Sequence, residues 1–235
     1  MANPATATIQ LPSAVTNGIS TAHTYGAAGA MTINGSLATA GVASLVVAQR
    51  VSAISDNAGD TTQTITITGT DRYGNPQGEV LALNGTTRVY SAKDYLTVTT
   101  LSISAATAGN ITVGTNTYGS TEWIFANMMI TPVQITYNGQ ILSGTATYTI
   151  EYTLDDPNAP ANAAGTALGY TAYPLADTIE FGSAVPPVAW PDATINAKSD
   201  NQIATLNAVI FAYRLTVTAG TGKVKLQGIQ AGVRN

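Results

Sequence analysis

The sequence predicts an all-β protein, an antiparallel β-sandwich of the jelly-roll or immunoglobulin-like kind, built from two β-units and an extended N-terminal arm. Several segments alternate apolar and polar residues, which is the side-chain period of a strand with one buried face. Turn-forming residues recur about every ten residues, the spacing typical of strands in a sandwich. Hydrophobic residues are 45% of the 235-residue chain, so the chain can bury a core.

Three regions follow from this pattern. Residues 1–44 are rich in Ala, Gly, Thr and Ser and keep no helical period, which predicts an extended arm that lies over a neighbouring subunit, or a frayed terminus. Residues 45–122 are expected to form the first β-sandwich unit. Residues 123–235 are expected to form the second, with a long proline-rich loop at 155–202. Because no linker composition separates the units, one continuous domain is the alternative.

The first unit contains the clearest alternation. Along 62–70, Ile65 and Ile67 point to one side and threonines to the other, which predicts a half-buried antiparallel strand. The turn-rich segment 71–78 then closes a hairpin with a return strand at 79–83. Further strands are predicted at 49–55, 88–90, 95–104 and 110–113.

The second unit contains a long alternating strand at 145–154. Asp155, Asp156 and Pro157 end it, because proline cannot donate a hydrogen bond to a neighbouring strand. A tight turn at Asn138-Gly139 is predicted to join two short strands. A last hairpin is predicted to join 208–218 to 223–230, and Trp190 is predicted to pin the long loop to the sandwich.

Charge excludes several classes of function. The net charge is −4, from 9 Lys and Arg and 13 Asp and Glu, and the basic residues do not cluster as a nucleic-acid interface or a polybasic membrane anchor requires. The longest apolar runs, 45–48 and 208–213, are far shorter than the ~20 residues of a membrane span. We therefore expect neither nucleic-acid nor membrane binding, and the N-terminus does not resemble a signal peptide.

Catalysis is also disfavoured. The chain has no Cys and one His, His23, which removes disulfides, thiolate chemistry and Cys/His zinc sites and leaves little for a catalytic triad. We predict that the protein is not an enzyme, and we assign no catalytic, cofactor-binding or metal-binding residue and no cofactor.

Two acidic turns are candidate calcium sites, since Ca²⁺ accepts oxygen ligands. One consists of Asp155 and Asp156, the other of Asp56, Asn57 and Asp60. Turn formation by the same residues is the favoured interpretation of both.

Four aromatic side chains are candidates for a carbohydrate-binding surface. Tyr148 and Tyr152 share one strand face with Ile150 and Leu154, and Trp123 and Trp190 stand alone. Exposed rings could stack on sugars or on a partner surface. Their apolar neighbours favour a core position instead.

Five stretches, about a third of the chain, resemble β-modules of tailed-bacteriophage virion proteins. In the first unit these are 64–75 (TITITGTDRYGN), 79–87 and 101–114, and in the second they are 149–157 and 214–232. The resemblance implies a non-enzymatic structural subunit of the virion, assembled in the host cytoplasm, and it transfers no active-site residue.

A head decoration or cement subunit is the favoured form of this expectation. Its partners would be the major capsid protein or other virion subunits, and it would be a homo-oligomer, with a trimer favoured. The low charge agrees, since a surface covered by neighbours needs little charge to stay soluble. The alternatives are a neck or tail adaptor, collar or fibre-attachment protein and, from another class, a carbohydrate- or receptor-binding module.

Overall fold

A computed structural model describes residues 3–154, 189–192 and 194–234. These residues form three antiparallel sheets and contain no helix. The predicted all-β class is confirmed. Among the described residues, none forms a helix long and apolar enough to cross a bilayer.

The first unit is one eight-stranded sheet. Its main path runs β2-β9-β5-β8-β6-β7, with β3 paired to β8 and β4 paired to β5. The strands are β2 (Ser20–His23), β3 (Gly29–Ala30), β4 (Ala38–Thr39), β5 (Val42–Ser55), β6 (Thr64–Thr70), β7 (Pro76–Ala82), β8 (Val89–Ile103) and β9 (Ile111–Thr115).

The predicted hairpin at 62–83 is confirmed. Strands β6 and β7 pair without a break from Thr64 opposite Ala82 to Thr70 opposite Pro76. Ile65 and Ile67 are completely buried in the first core. The alternation therefore places one side of the hairpin in the core and its threonines outside.

The second unit is a sandwich of two sheets. One runs β1-β17-β12-β15, and the other runs β10-β16-β13-β14 with β11 beside β16. Both sheets contribute to the second core, for example Tyr137 and Leu226 from one and Ile150 and Leu215 from the other. The strands are β1 (Asn3–Gln10), β10 (Gly119–Ser120), β11 (Ile124–Phe125), β12 (Ile130–Ser143), β13 (Ala146–Thr153), β14 (Trp190–Pro191), β15 (Gln202–Leu206), β16 (Ala212–Gly220) and β17 (Lys223–Arg234).

The turn predicted at Asn138-Gly139 is wrong, because both residues lie inside the continuous strand β12. A Cβ on Gly139 would lie 2.4 Å from the ring of Tyr148, so glycine makes room for that ring. The Tyr148 hydroxyl lies 2.9 Å from the Gly139 carbonyl oxygen and 2.8 Å from that of Asp200. A glycine within a strand here marks a close approach across the sandwich rather than a turn.

Residues 3–44 differ from the arm that the sequence predicted for 1–44. Strand β1 is extended, but it pairs along its whole length with β17 of the same chain. Ile19, Tyr25 and Met31 are buried in the first core. These apolar residues are separated by stretches of Gly, Ala and Ser, so their contribution leaves no periodic signal in the sequence.

The loop predicted at 155–202 lies mostly outside the described residues. Its last part is tied to β13: the Ile150 N–H donates to the Ile195 carbonyl, and Ile195 is completely buried. Trp190 pairs opposite Tyr152 but is 52% exposed. Ile195, rather than Trp190, is therefore the buried anchor of this segment.

The two cores provide a stability prediction. Ile67→Ala and Ile150→Ala should each lower the free energy of unfolding by about 2–5 kcal/mol, since each leaves a cavity at a completely buried position. Thr66→Ala, one residue from Ile67 but exposed, should change it by less than about 0.5 kcal/mol. Urea denaturation followed by circular dichroism measures all three, and equal effects at positions 66 and 67 would contradict the assignment of the buried face.

Candidate interaction site

The two units meet at a break in strand β5. Ser44 pairs with Thr97 of β8, but the next paired residue of β5, Gln49, is opposite Tyr95, so residues 45–48 bulge out of the sheet. Leu45 points into the first core, and Val47 packs against the second. The bulge therefore belongs to both units.

A charged cluster lies beside this bulge. The Asp94 side chain is 11% exposed, with Arg50 Nε at 3.8 Å and Arg72 Nη2 at 3.5 Å from its carboxylate oxygens. The Ser120 N–H donates to Asp94 Oδ2 at 2.9 Å. Burial raises the pKa of Asp94 and outweighs Arg214, Arg50, Arg72 and the Ser120 N–H, which favour the carboxylate. Because Arg50, Arg72 and Asp94 come from the first unit and Ser120 from the second, the cluster joins the two.

A second ion pair reinforces the same region. Arg214 Nε donates to Glu151 Oε2 at 2.8 Å, and Thr216 Oγ1 donates to the same oxygen at 2.8 Å. The Arg214 guanidinium lies 4.4 Å from the centre of the Trp123 ring. One face of the Trp123 ring is therefore occupied by a cation of the same chain.

The charges around Asp94 join the two units, whereas the Glu151–Arg214 pair joins β13 to β16 within the second unit. The carboxylates of Asp94 and Glu151 face arginines and donors of the same chain. Across the ranges that the structure describes, no three His, Cys, Asp or Glu side chains come together as a metal site.

A cleft of ≈ 460 Å³ opens at this junction. One wall is Thr6–Gln10 of β1, and the rest consists of Val47–Ala48, Arg72 and Ser120–Glu122. It lies where β1, at the edge of one sheet of the sandwich, approaches β10, at the edge of the other. Sequence reasoning missed the cleft, since its walls come from four separate segments between residues 6 and 122 and carry no motif.

The predicted acidic turn at Asp56, Asn57 and Asp60 closes a loop. Asp60 is buried and accepts hydrogen bonds from Ser55 Oγ at 2.6 Å, Ala108 N at 2.9 Å and Gly109 N at 3.0 Å. Burial alone would raise the pKa of Asp60, but these hydrogen bonds lower it below its usual value. The oxygens that calcium would need are thus used by donors of the chain. Asp155 and Asp156 lie outside the described residues.

The other predicted candidates are dispersed. His23 is exposed at the end of β2, where its ring packs edge-on against Tyr25 with 4.8 Å between ring centres. Tyr148 is completely buried, and that burial together with Asp200 raises its pKa to about 12. Tyr152 is partly buried and Leu154 exposed. The structure brings Trp190 opposite Tyr152, but Tyr148 on the same strand is buried, so the predicted aromatic residues do not form one exposed row.

Two patches on sheet faces that point to solvent carry no charged side chain. The first-unit face covers β7, β6 and β8, where Thr66 pairs with Val80 on one side and Ser102 on the other. The second-unit face is part of the outer side of β1, β17, β12 and β15, which at one end also carries Lys225 opposite Thr8 and Lys223 opposite Gln10. We define the first-unit face as Thr64, Thr66, Thr68, Val80, Ala82, Thr100 and Ser102, and the second-unit face as Pro4, Thr6, Thr136, Asn138, Ile203, Thr205, Gln227 and Ile229.

Comparison of the chain with protein-family models, curated proteins and solved structures found no match.

The loop closed by Asp60 gives a prediction with a defined pH dependence. At pH 7, Asp60→Asn should lower the free energy of unfolding by about 1–3 kcal/mol, because the amide NH2 that replaces one carboxylate oxygen faces the N–H group of either Ala108 or Gly109. The pKa of Asp60 is lower in the folded state, so its contribution is fully present above the unfolded pKa of about 3.9 and is lost as the pH falls through the folded value.

The difference between wild type and variant should therefore shrink as the pH falls below about 3.9, as measured by urea denaturation. Asp200→Asn, at an exposed carboxylate, is the matched control and should stay within about 0.5 kcal/mol of wild type at pH 7. An undiminished Asp60→Asn effect at the lower pH would show that the charge of Asp60 is not what stabilises the loop.

Proposed function

We propose that the protein is a non-enzymatic structural subunit of a tailed-bacteriophage particle that decorates and cements the head. The observation that supports this most strongly is the pair of uncharged faces. Charged residues are depleted at the centre of protein–protein interfaces and abundant on free surfaces. A chain with 9% charged residues and two such faces is suited to having much of its surface covered by neighbouring subunits.

The charges that the chain does have support the same proposal. Three of its arginines, Arg50, Arg72 and Arg214, lie at the junction and pair with Asp94 or Glu151. Arg50 and Arg72 thereby contribute to the junction between the units, and Arg214 contributes to the second unit, so none of the three is left free for a charged ligand. A rigid block with uncharged outer faces fits a load-bearing role in a lattice, where partners are large and contacts broad.

In this proposal the partner is the major capsid protein or another virion subunit, and the protein is a homo-oligomer, with a trimer favoured on a lattice. Immunogold labelling of intact particles with a serum against the chain tests the location. Label spread over the head supports decoration. Label confined to one vertex or to the tail would replace it with a neck or tail role, and particles without label would contradict a surface-exposed virion subunit.

The uncharged faces yield a prediction about assembly. Thr66→Glu on the first-unit face or Thr136→Glu on the second-unit face should weaken binding of the purified protein to particles lacking it by at least about tenfold. An unpaired carboxylate buried in a contact costs more than the ~1.4 kcal/mol that corresponds to a factor of ten. Co-sedimentation with particles measures the affinity.

Thr61→Glu is the matched control, since Thr61 is exposed in a turn outside both faces. It should bind as wild type does, and circular dichroism should show that all three variants are folded. If Thr66→Glu and Thr136→Glu both bind with wild-type affinity, neither face contacts the particle and the principal support for the proposal is lost.

A further inference from the structure

We propose that the free edge of β1 accepts an extended, uncharged polypeptide segment from a neighbouring subunit, which adds to the sheet as a further strand. This inference rests on the proposed function for the identity of the neighbour. It rests on the structure of the chain for the acceptor site.

One edge of strand β1 is open. Within the described residues β1 pairs only with β17, so one edge of β1 is left without a partner strand. An open edge presents alternating N–H and C=O groups that only another extended backbone satisfies in order. From Ala5 to Gln10 the strand has no proline and no charged side chain to block such pairing.

A contrast within the chain supports this argument. Strand β7 ends its own sheet, but it begins with Pro76 and carries Glu79, and Lys93 Nζ donates to the Gly78 carbonyl at 2.8 Å. These are the features that protect an edge from further pairing. Strand β1 has a proline only near its start, at Pro4, and from Ala5 to Gln10 it carries no charged side chain.

The cleft lies along the open edge of β1. All five consecutive residues Thr6–Gln10 line it. Successive side chains of a strand point to opposite faces, so it is the edge of β1, and not one of its faces, that borders the cleft. Five residues of strand span about 17 Å, which is room for a short extended segment.

The core-facing side of β1 leaves space beside its open edge. Ala7 lies on the same face of β1 as Ile9, which is buried in the second core, but its methyl group is small and partly exposed. On the paired side, Leu226 of β17 is opposite Ala7 and Val224 is opposite Ile9, and both are buried. A strand added on the open side would direct alternate side chains into the cleft in the same way.

The cleft also indicates the chemistry of the segment. Its charged residues are Arg72 and Glu122. Arg72 is engaged with Asp94 and donates to the Ser120 carbonyl, and Glu122 accepts from the Tyr73 hydroxyl at 3.1 Å. The segment should therefore be uncharged where it enters, with apolar side chains at alternate positions.

A peptide with the sequence of residues 223–230 but with threonine in place of Lys223 and Lys225, acetylated and amidated, is a suitable probe because the natural segment forms the partner strand on the other edge. In NMR titrations of the intact protein, it should shift the amide signals of Thr6–Gln10 and protect the alternate amides whose N–H groups point to the open edge. Ala7→Phe, which fills the cleft from the chain's own side, should weaken binding at least tenfold. Thr205→Phe, exposed on the opposite edge strand of the same sheet, should not.

If Ala7→Phe does not fold, Ala7→Leu provides the same comparison with less added volume. A peptide with proline in place of Val224 and Leu226 should not bind, since it lacks two N–H donors and both apolar side chains. If the peptide without proline does not bind to β1, the inference is overturned.

Hydrogen exchange on particles separates this inference from the proposed function. Slower exchange of the Thr6–Gln10 amides in particle-bound protein than in free protein supports strand addition. Binding to particles with unchanged exchange at these amides would overturn the inference and leave the proposed function standing. If the protein does not bind particles, the proposed function fails, and the peptide titration alone decides whether β1 is an acceptor edge.

Discussion

The break in strand β5 at residues 45–48 is the constraint on which the rest of the structure depends. A regular strand would contact only its own sheet, whereas the bulge places Leu45 in one core and Val47 against the other. Val46 between them is 83% exposed, so the bulge gives up the burial of one large side chain. In return a single strand belongs to both units, and their relative orientation is set by covalent geometry as well as by packing.

The charged cluster around Asp94 reinforces this arrangement. Buried ion pairs contribute little net stability compared with apolar residues of the same size, but removing one partner leaves an unpaired buried charge and is costly. The Asp94 carboxylate, Arg50, Arg72 and the Ser120 N–H are therefore better understood as fixing one geometry of the junction than as a source of stability. The same geometry leaves the cleft beside β1 open and turns the two uncharged faces outward.

The sequence predicted those parts of the fold that local periodicity determines. The alternation of isoleucine and threonine in β6 specifies a strand, its buried side and its hairpin, because side-chain direction in a strand repeats every two residues. The turn preference of the pair Asn-Gly led to the wrong prediction at Asn138-Gly139. Glycine is needed there because the Tyr148 ring approaches from the facing sheet. The buried residues of 3–44 could not be predicted, because single apolar residues among small ones produce no periodic hydrophobic pattern.

The candidate site was beyond sequence reasoning for a different reason. The cleft joins residues 6–10 to 120–122, and the charged cluster joins Arg50 to Asp94 and Ser120. Contacts over such separations depend on strand order, which composition and spacing do not determine. Asp60 is intermediate, because its turn was predicted but its bonds to Ala108 and Gly109 were not.

The junction should make the two units unfold cooperatively, and native-state hydrogen exchange tests this most directly. The most protected amides of the first core, around Ile65 and Ile67, and of the second, around Ile150 and Leu215, should report the same free energy of opening. They should also respond equally to low concentrations of denaturant, since two elements that unfold together share one global transition. Different free energies for the two cores would contradict the claim and show that the junction does not couple them.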